Sequence, residues 1–167
     1  SHCHLEDEEI ATLMEHLNNH PSLYELDLGV NFCQEQGMKG LAQLLVSSCP
    51  LISLNLSCQD VWDDRSYFGY LTAALSNPNC CLASLDVASN CLTDEHFEEL
   101  LQALLQDNIN VISTLRRLVW RDNTVTDLGM SALAKALPRL SLRSLDLTNN
   151  QYTTEGVRAL EKGLRSN

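Results

Sequence analysis

The stretch Leu82-Ala-Ser-Leu85-Asp-Val87-Ala-Ser-Asn90-Cys-Leu92 recurs in outline along nearly the whole chain, and that recurrence limits the fold more than any other feature. Its apolar residues at 82, 85, 87 and 92, closed by Asn90, follow the pattern L-x-x-L-x-L-x-x-N-x-L, a short strand running into a turn. A helical stretch comes next, with Phe97, Leu100, Leu101 and Leu104 at i, i+3, i+4 and i+7. One strand, one turn and one helix cannot bury their own apolar face. Stacked copies can.

Four further units keep the register. They are Leu23-Tyr-Glu-Leu26-Asp-Leu28-Gly-Val-Asn31, Leu51-Ile-Ser-Leu54-Asn-Leu56-Ser-Cys-Gln59, Leu115-Arg-Arg-Leu118-Val-Trp120-Arg-Asp-Asn123 and Leu142-Arg-Ser-Leu145-Asp-Leu147-Thr-Asn-Asn150. Each leads into apolar residues at helical spacing, and the period is roughly 30 residues. Cys3-His-Leu5 fits only the tail of the pattern and is followed by Ile10, Leu13, Met14 and Leu17. The strand that should precede it is missing, so either the chain is cut from a longer protein, the favoured expectation, or this helix acts as a cap. Thr93, Thr126 and Thr153 stand three places after the Asn of their units, where a helix N-cap is wanted. Gly37, Gly129 and Gly156 stand six places after it, in the first helical turn. Pro21, Pro50, Pro78 and Pro138 fall between a helix and the next strand, where proline ends the helix and costs no ladder bond.

A helix in every unit, this period and this consensus resemble the ribonuclease-inhibitor type of leucine-rich repeat, over Cys3 to Leu164. The chain looks like the repeat domains of ribonuclease inhibitor, Ran GTPase-activating proteins and nucleotide-binding immune sensors. Asn79-Cys-Cys-Leu82-Ala-Ser-Leu85 is similar to a linker found in the last of these. The resemblance implies an α/β solenoid, a horseshoe segment over residues 1–167 as a single domain. It would hold about five full repeats and a partial N-terminal one, with parallel strands on the concave face, helices on the convex face and the Asn side chains bonded to neighbouring turns. Cys3 and Gln59 stand where the family has Asn.

Composition narrows the classes of function. Hydrophobic content of 44% with 20% charged residues is that of a globular chain. A formal charge of −11 argues against a phosphate-tracking surface and against anionic membranes, and no apolar run reaches the ~18 residues of a span. Cysteines 3, 33, 49, 58, 80, 81 and 91 lack both C-x-x-C and secreted-framework spacing. Reduced thiols and a cytoplasmic location are therefore expected, with several cysteines filling small buried positions. The sequon Asn55-Leu-Ser57 lies inside an expected strand, and no signal peptide is visible.

Inward strand positions are leucine-like, so the residues between them face the concave solvent side. The units supply Glu25 and Asp27; Ser53, Asn55 and Ser57; Ser84, Asp86 and Ala88; Arg117, Val119 and Arg121; then Ser144, Asp146 and Thr148. Glu25, Asp27, Asn55, Asp86, Arg117, Val119, Arg121 and Asp146 are the candidate contacts of a protein-binding groove. The bland counterpart is that these charges satisfy one another across the sheet. Two segments are longer than the pattern allows, 60–70 and 105–114, and insertions in repeats map to loops that often bind. In the first, Trp62, Tyr67, Phe68 and Tyr70 gather four of the nine scarce aromatics beside Asp60, Asp63 and Asp64. Exposed, the segment forms a rim of contacts at Trp62, Asp63, Asp64 and Tyr67; buried, its rings fill an irregular core. Trp120 occupies a core leucine position.

Nothing in the chain proposes chemistry. His2-Cys3-His4 is too loose a set to hold a metal, and no phosphate-loop, nucleophile-elbow or zinc-helix motif occurs. His16 and His96 sit on helices without a nearby nucleophile. No cofactor, metal or catalytic residue is expected, and the chain is not expected to be an enzyme. The expected function is recognition of a protein partner, with self-association through uncapped ends as a further route. Two alternatives follow from the resemblance: a ligand-sensing or autoregulatory repeat domain of a larger immune-sensor-like protein, with a link to innate immunity, or a GTPase-activating or other regulatory scaffold.

Overall fold

The computed structural model describes residues 4–59, 65–105 and 114–165. A first helix, α1 (Asp7–Leu17), precedes five units that alternate strand and helix. These are β1 (Glu25–Asp27) with α2 (Glu35–Val46), β2 (Ser53–Asn55) with α3 (Arg65–Leu75) and β3 (Ser84–Asp86) with α4 (Asp94–Leu104). β4 (Arg117–Val119) with α5 (Asp127–Ala136) and β5 (Ser144–Asp146) with α6 (Thr154–Arg165) complete the run. The strands form one parallel sheet in chain order, and the middle leucines align as Leu26, Leu54, Leu85, Leu118 and Leu145. Sequential parallel pairing with a helix in every crossover is the α/β solenoid that the repeats require.

The core is a stack of aliphatic layers between sheet and helices. Leu54, Leu85 and Leu118 point inward from the strands, and Leu41, Leu44, Leu100, Leu101 and Leu133 close over them from the helices. Each such side chain, fully buried, stabilises the fold by about 1.5–3 kcal/mol. At the two edges of the sheet Leu26, Leu145 and Leu147 are only half-buried, since each lies beside a single neighbouring strand.

A buried amide ladder ties the turns together. Asn90 donates to the carbonyls of Leu56 at 2.8 Å and Val87 at 3.1 Å, and its Oδ1 accepts the Gln59 N–H at 2.7 Å. Asn123 accepts the N–H groups of Asn90 and Leu92 and donates to Val87, Trp120 and Arg121. Asn31 and Asn150 repeat the scheme at either end. Gln59 departs from Asn in sequence but not in role: its Nε2 reaches Leu28 O at 2.7 Å and its Oε1 accepts the Cys33 N–H at 3.1 Å. The residue before each of these amides is left-handed, at Val30 (φ 59°), Cys58, Ser89, Asp122 and Asn149. That reversal turns the amide side chain back under the strands.

A second tie runs along the helix starts. The Asp94 carboxylate accepts the Thr126 N–H at 2.8 Å, the Thr126 hydroxyl at 2.6 Å and the Gly129 N–H at 3.0 Å, all from the next unit. Asp127 does the same with Thr153 and Gly156, and Asp7 with Gln34, Gln36 and Gly37. These carboxylates satisfy donors that a helix start leaves open. Glycine is required opposite them: a Cβ on Gly129 would meet Asp94 Oδ1 at 2.5 Å and Val125 Cγ1 at 2.7 Å.

Two sequence expectations change at the third helix. Residues 65–70, read as part of an inserted loop, form the first turns of α3. Tyr67, expected as a rim contact, is half-buried against the core, and so is Tyr70. The cause is helical spacing: Phe68, Leu71 and Leu75 turn the α3 face inward and bring the tyrosines with it. Phe68 is fully buried, edge-on to Trp120 at 5.8 Å and to His96 at 5.4 Å, and Phe97 lies 4.9 Å from Trp120. Trp120 is core, as its position in the pattern requires.

Candidate protein-binding surface

Parallel registration converts the five repeats into rows across the concave face. One row is Glu25, Ser53, Ser84, Arg117 and Ser144; the next is Asp27, Asn55, Asp86, Val119 and Asp146. The second row has a local structural duty. Asp27 Oδ1 accepts the Gly29 N–H, Asn55 Oδ1 the Ser57 N–H, Asp86 Oδ1 the Ala88 N–H and Asp146 Oδ1 the Thr148 N–H, each at 2.9–3.0 Å. Each closes an Asx turn where the chain leaves the strand. Asn55 Nδ2 also donates to Asp27 Oδ1 at 2.9 Å, so the acidic end of the face is partly satisfied internally.

The fourth unit breaks that row. Val119 cannot close an Asx turn, and with only 3% of its surface accessible it offers a partner almost nothing, contrary to its expected role as a contact. It lies in register between Asp86 and Asp146, and the long side chains of Arg117 and Arg121 share its face two residues to either side. Both arginines are exposed, and Arg121 keeps 56% of its side chain accessible, with a long 3.8 Å contact to Asp122. The Asp146 carboxyl is held below the usual carboxylate range, first by its hydrogen bonds with Thr148, then by the nearby charges of Arg121 and Arg117. Thus Arg117, Arg121 and Asp146 form one electrostatic group, while Glu25 and Asp27 are exposed at the far edge of the sheet. Asp27 there borders a cleft of about 450 Å³ with Leu5, Leu26, Gly29, Asn55 and Ser57.

A third row, absent from the sequence reading, lies one residue ahead of the first. Tyr24, Ile52, Ala83, Arg116 and Arg143 are linked by the backbone bonds Ile52 N–H to Tyr24 O (2.8 Å), Ala83 N–H to Ile52 O, Arg116 N–H to Ala83 O and Arg143 N–H to Arg116 O (2.7 Å). Tyr24 and Ile52 are 51% and 44% exposed, unusual for large apolar side chains placed side by side. The available signal was the first x of each L-x-x-L, which is apolar in three units (Tyr24, Ile52 and Ala83) and arginine in the other two.

Other expected features resolve simply. Trp62, Asp63 and Asp64, and most of the second long segment (106–113), lie outside the described residues, as do His2 and Cys3. Cys33, Cys49 and Cys80 are buried and outside any disulfide, and burial, helped by the Asp7 charge, pushes the Cys33 thiol up to about 12. Cys81 and Cys91 are free and exposed. His96 is buried on α4 at the position that carries glycine in three other units, its Nδ1 accepting the Thr93 N–H at 3.3 Å. Among the described residues no group of three His, Cys, Asp or Glu side chains could hold a metal ion, and no helix is long and apolar enough to cross a membrane.

Comparison with known proteins agrees with this geometry. A family model described as Leucine Rich repeat matches residues 79–95, 111–134 and 140–160. Mouse ribonuclease inhibitor is 35% identical over 98% of the chain, which spans 35% of that relative's length. Human NACHT, LRR and PYD domains-containing protein 14 is 33% identical over 98% of the chain, which spans 14% of it. Among solved structures, the tropomodulin C-terminal domain of Caenorhabditis elegans superposes with a TM-score of 0.68 at 15% identity, covering 96% of this chain and 92% of that one. Leiomodin-1 Actin-Binding Site 2 gives 0.66 at 18%, covering 95% and 90%. At those identities the structural matches speak to fold alone.

Proposed function

Because the chain belongs to the leucine-rich-repeat family, in its ribonuclease-inhibitor-type form, we propose that it is a protein-recognition module with no chemistry of its own. The partner lies across the concave sheet and its rims, the usual binding surface of a solenoid. The observation that carries this reading is the exposed arginine pair around Val119, on a face whose other polar groups are largely engaged with their own backbone. Arg117, Arg121 and Asp146 form its basic side, and Glu25, Asp27, Asn55 and Asp86 its acidic and polar side. Trp62, Asp63 and Asp64, outside the described residues, are proposed as further contacts of the same partner. Ribonuclease inhibitor, by its name, acts on another protein, which supports the same class of function here.

The test is charge reversal on the face. Arg121→Glu is expected to weaken capture of a protein partner at least about tenfold. Thermal unfolding should stay nearly unchanged, since an exposed ion pair is worth at most about 1 kcal/mol. Unaltered capture by a folded variant would remove the concave face from the reading.

The similarity to a NACHT, LRR and PYD protein over nearly all of the chain favours a second reading, in which the repeats restrain a neighbouring domain of a longer protein. Under that reading Arg121→Glu raises the resting activity of the longer protein instead of abolishing capture.

A further inference from the structure

The row ahead of the strands combines two features that seldom sit together by chance: a pair of exposed apolar side chains at one end and arginines at the other. We infer that this rim, Tyr24 and Ile52 through Arg116 and Arg143, with Arg117 beside it, is the docking track for a short acidic peptide segment carrying an apolar anchor. The inference rests on the protein-recognition reading and names the chemistry of the partner.

Length, charge and free surface all support that occupant. Neighbouring strands lie about 4.8 Å apart, so four steps from Tyr24 to Arg143 span about 19 Å, the reach of roughly six extended residues. At one end the backbones of Tyr24 and Ile52 are joined directly, Tyr24 O accepting the N–H groups of both Ile52 and Ser53. A leucine or aromatic side chain laid across them removes three exposed apolar surfaces from water at once. At the other end Arg143 and Arg117 are exposed, and Arg116 is held in place by its Nη1 bond to Leu115 O at 3.1 Å. Asp146, whose charge couples to Arg117 and Arg121, already accepts the Thr148 N–H, and Asp86 beside Val119 accepts that of Ala88, so these carboxylates neutralise Arg117 and Arg121 only in part. Val119 stands where a further carboxylate would have stood in the row. A segment of glutamates and aspartates supplies what is missing, with its acidic residues over β4 and β5 and its anchor over β1 and β2.

The test uses fluorescein-labelled peptides of about eight residues with two leucines at one end and four glutamates at the other, made in both chain directions. Fluorescence anisotropy should show binding in at least one direction, weakening as salt rises. The double variant Arg117→Glu/Arg143→Glu should lose at least about tenfold in affinity, and Tyr24→Ser/Ile52→Ser about threefold, with melting temperatures close to the parent. Should either double variant unfold, the single Arg143→Gln replaces it, because that side chain is exposed. No binding at about 1 mM peptide, equal binding of the peptide with lysines for glutamates, tighter binding of a labelled oligouridylate, or indifference to the folded variants would each overturn the inference. Capture of a protein that still depends on Arg121 while the peptides ignore the rim would sink the docking track and leave the recognition reading standing.

Discussion

Asn123 shows how much one amide carries. It accepts two backbone N–H groups and donates to three carbonyls, in a site only 5% exposed. Asn123→Ala strands donors and acceptors from two successive turns where water cannot replace it, at a cost of about 1–3 kcal/mol for each group left open. Urea denaturation should therefore show a loss of about 3 kcal/mol or more. By the same accounting Gln59→Asn should cost less than Asn123→Ala, because the shorter amide keeps part of the pattern. Val30 illustrates the opposite sign. A β-branched residue held at φ 59° opposes its own backbone, whereas Asn149 occupies the equivalent position in the last unit without that penalty. Val30→Asn should stabilise the chain by about 1 kcal/mol in the same assay.

At the α1–α2, α4–α5 and α5–α6 junctions neighbouring units are also coupled by a carboxylate that bridges one helix start to the next. Gly129→Ala places a methyl group within 2.5 Å of Asp94 Oδ1 and 2.7 Å of Val125 Cγ1, so the tie must open or α5 must shift. A loss of about 1–3 kcal/mol is expected. Acid should open the next tie along, at Asp127, by another route. The Asp127 carboxyl is held below the usual range, chiefly by the Thr153 N–H, then by the Thr153 hydroxyl and the Gly156 N–H, against an opposing push from burial. A depressed carboxylate contributes stability that is fully present above its unfolded value of about 3.9 and is lost as pH falls through the folded one. The melting temperature should hold above about pH 5 and drop below about pH 4, and Asp127→Asn should flatten that drop. A variant that melts along the parent's curve would show that other carboxylates govern the transition.

Across the whole molecule each repeat touches its neighbours alone, so stability should grade from the centre outward. Hydrogen exchange should find the β3 amides slower than those of β5, where Leu145 and Leu147 are half-buried. The legibility of the fold has the same origin. Leucines at fixed offsets, Thr caps and Gly in the first turn recur unit after unit, and each recurrence states again where strand, turn and helix must lie. The surface was less legible because one residue type can serve two purposes. Asp27, Asp86 and Asp146 read as groove charges but also close turns, and Val119 stands on the concave face yet is covered. Tyr24 and Ile52 sit beside strand leucines and became visible as a pair through the sheet register. The aspartate bridge also gives the solenoid a grammar. Residues 127–153 begin with an acceptor, Asp127, carry their own Gly129 and end with a donor, Thr153. Copied in tandem, that cassette would meet itself with every acceptor matched, so the horseshoe can lengthen by duplication without inventing a new joint.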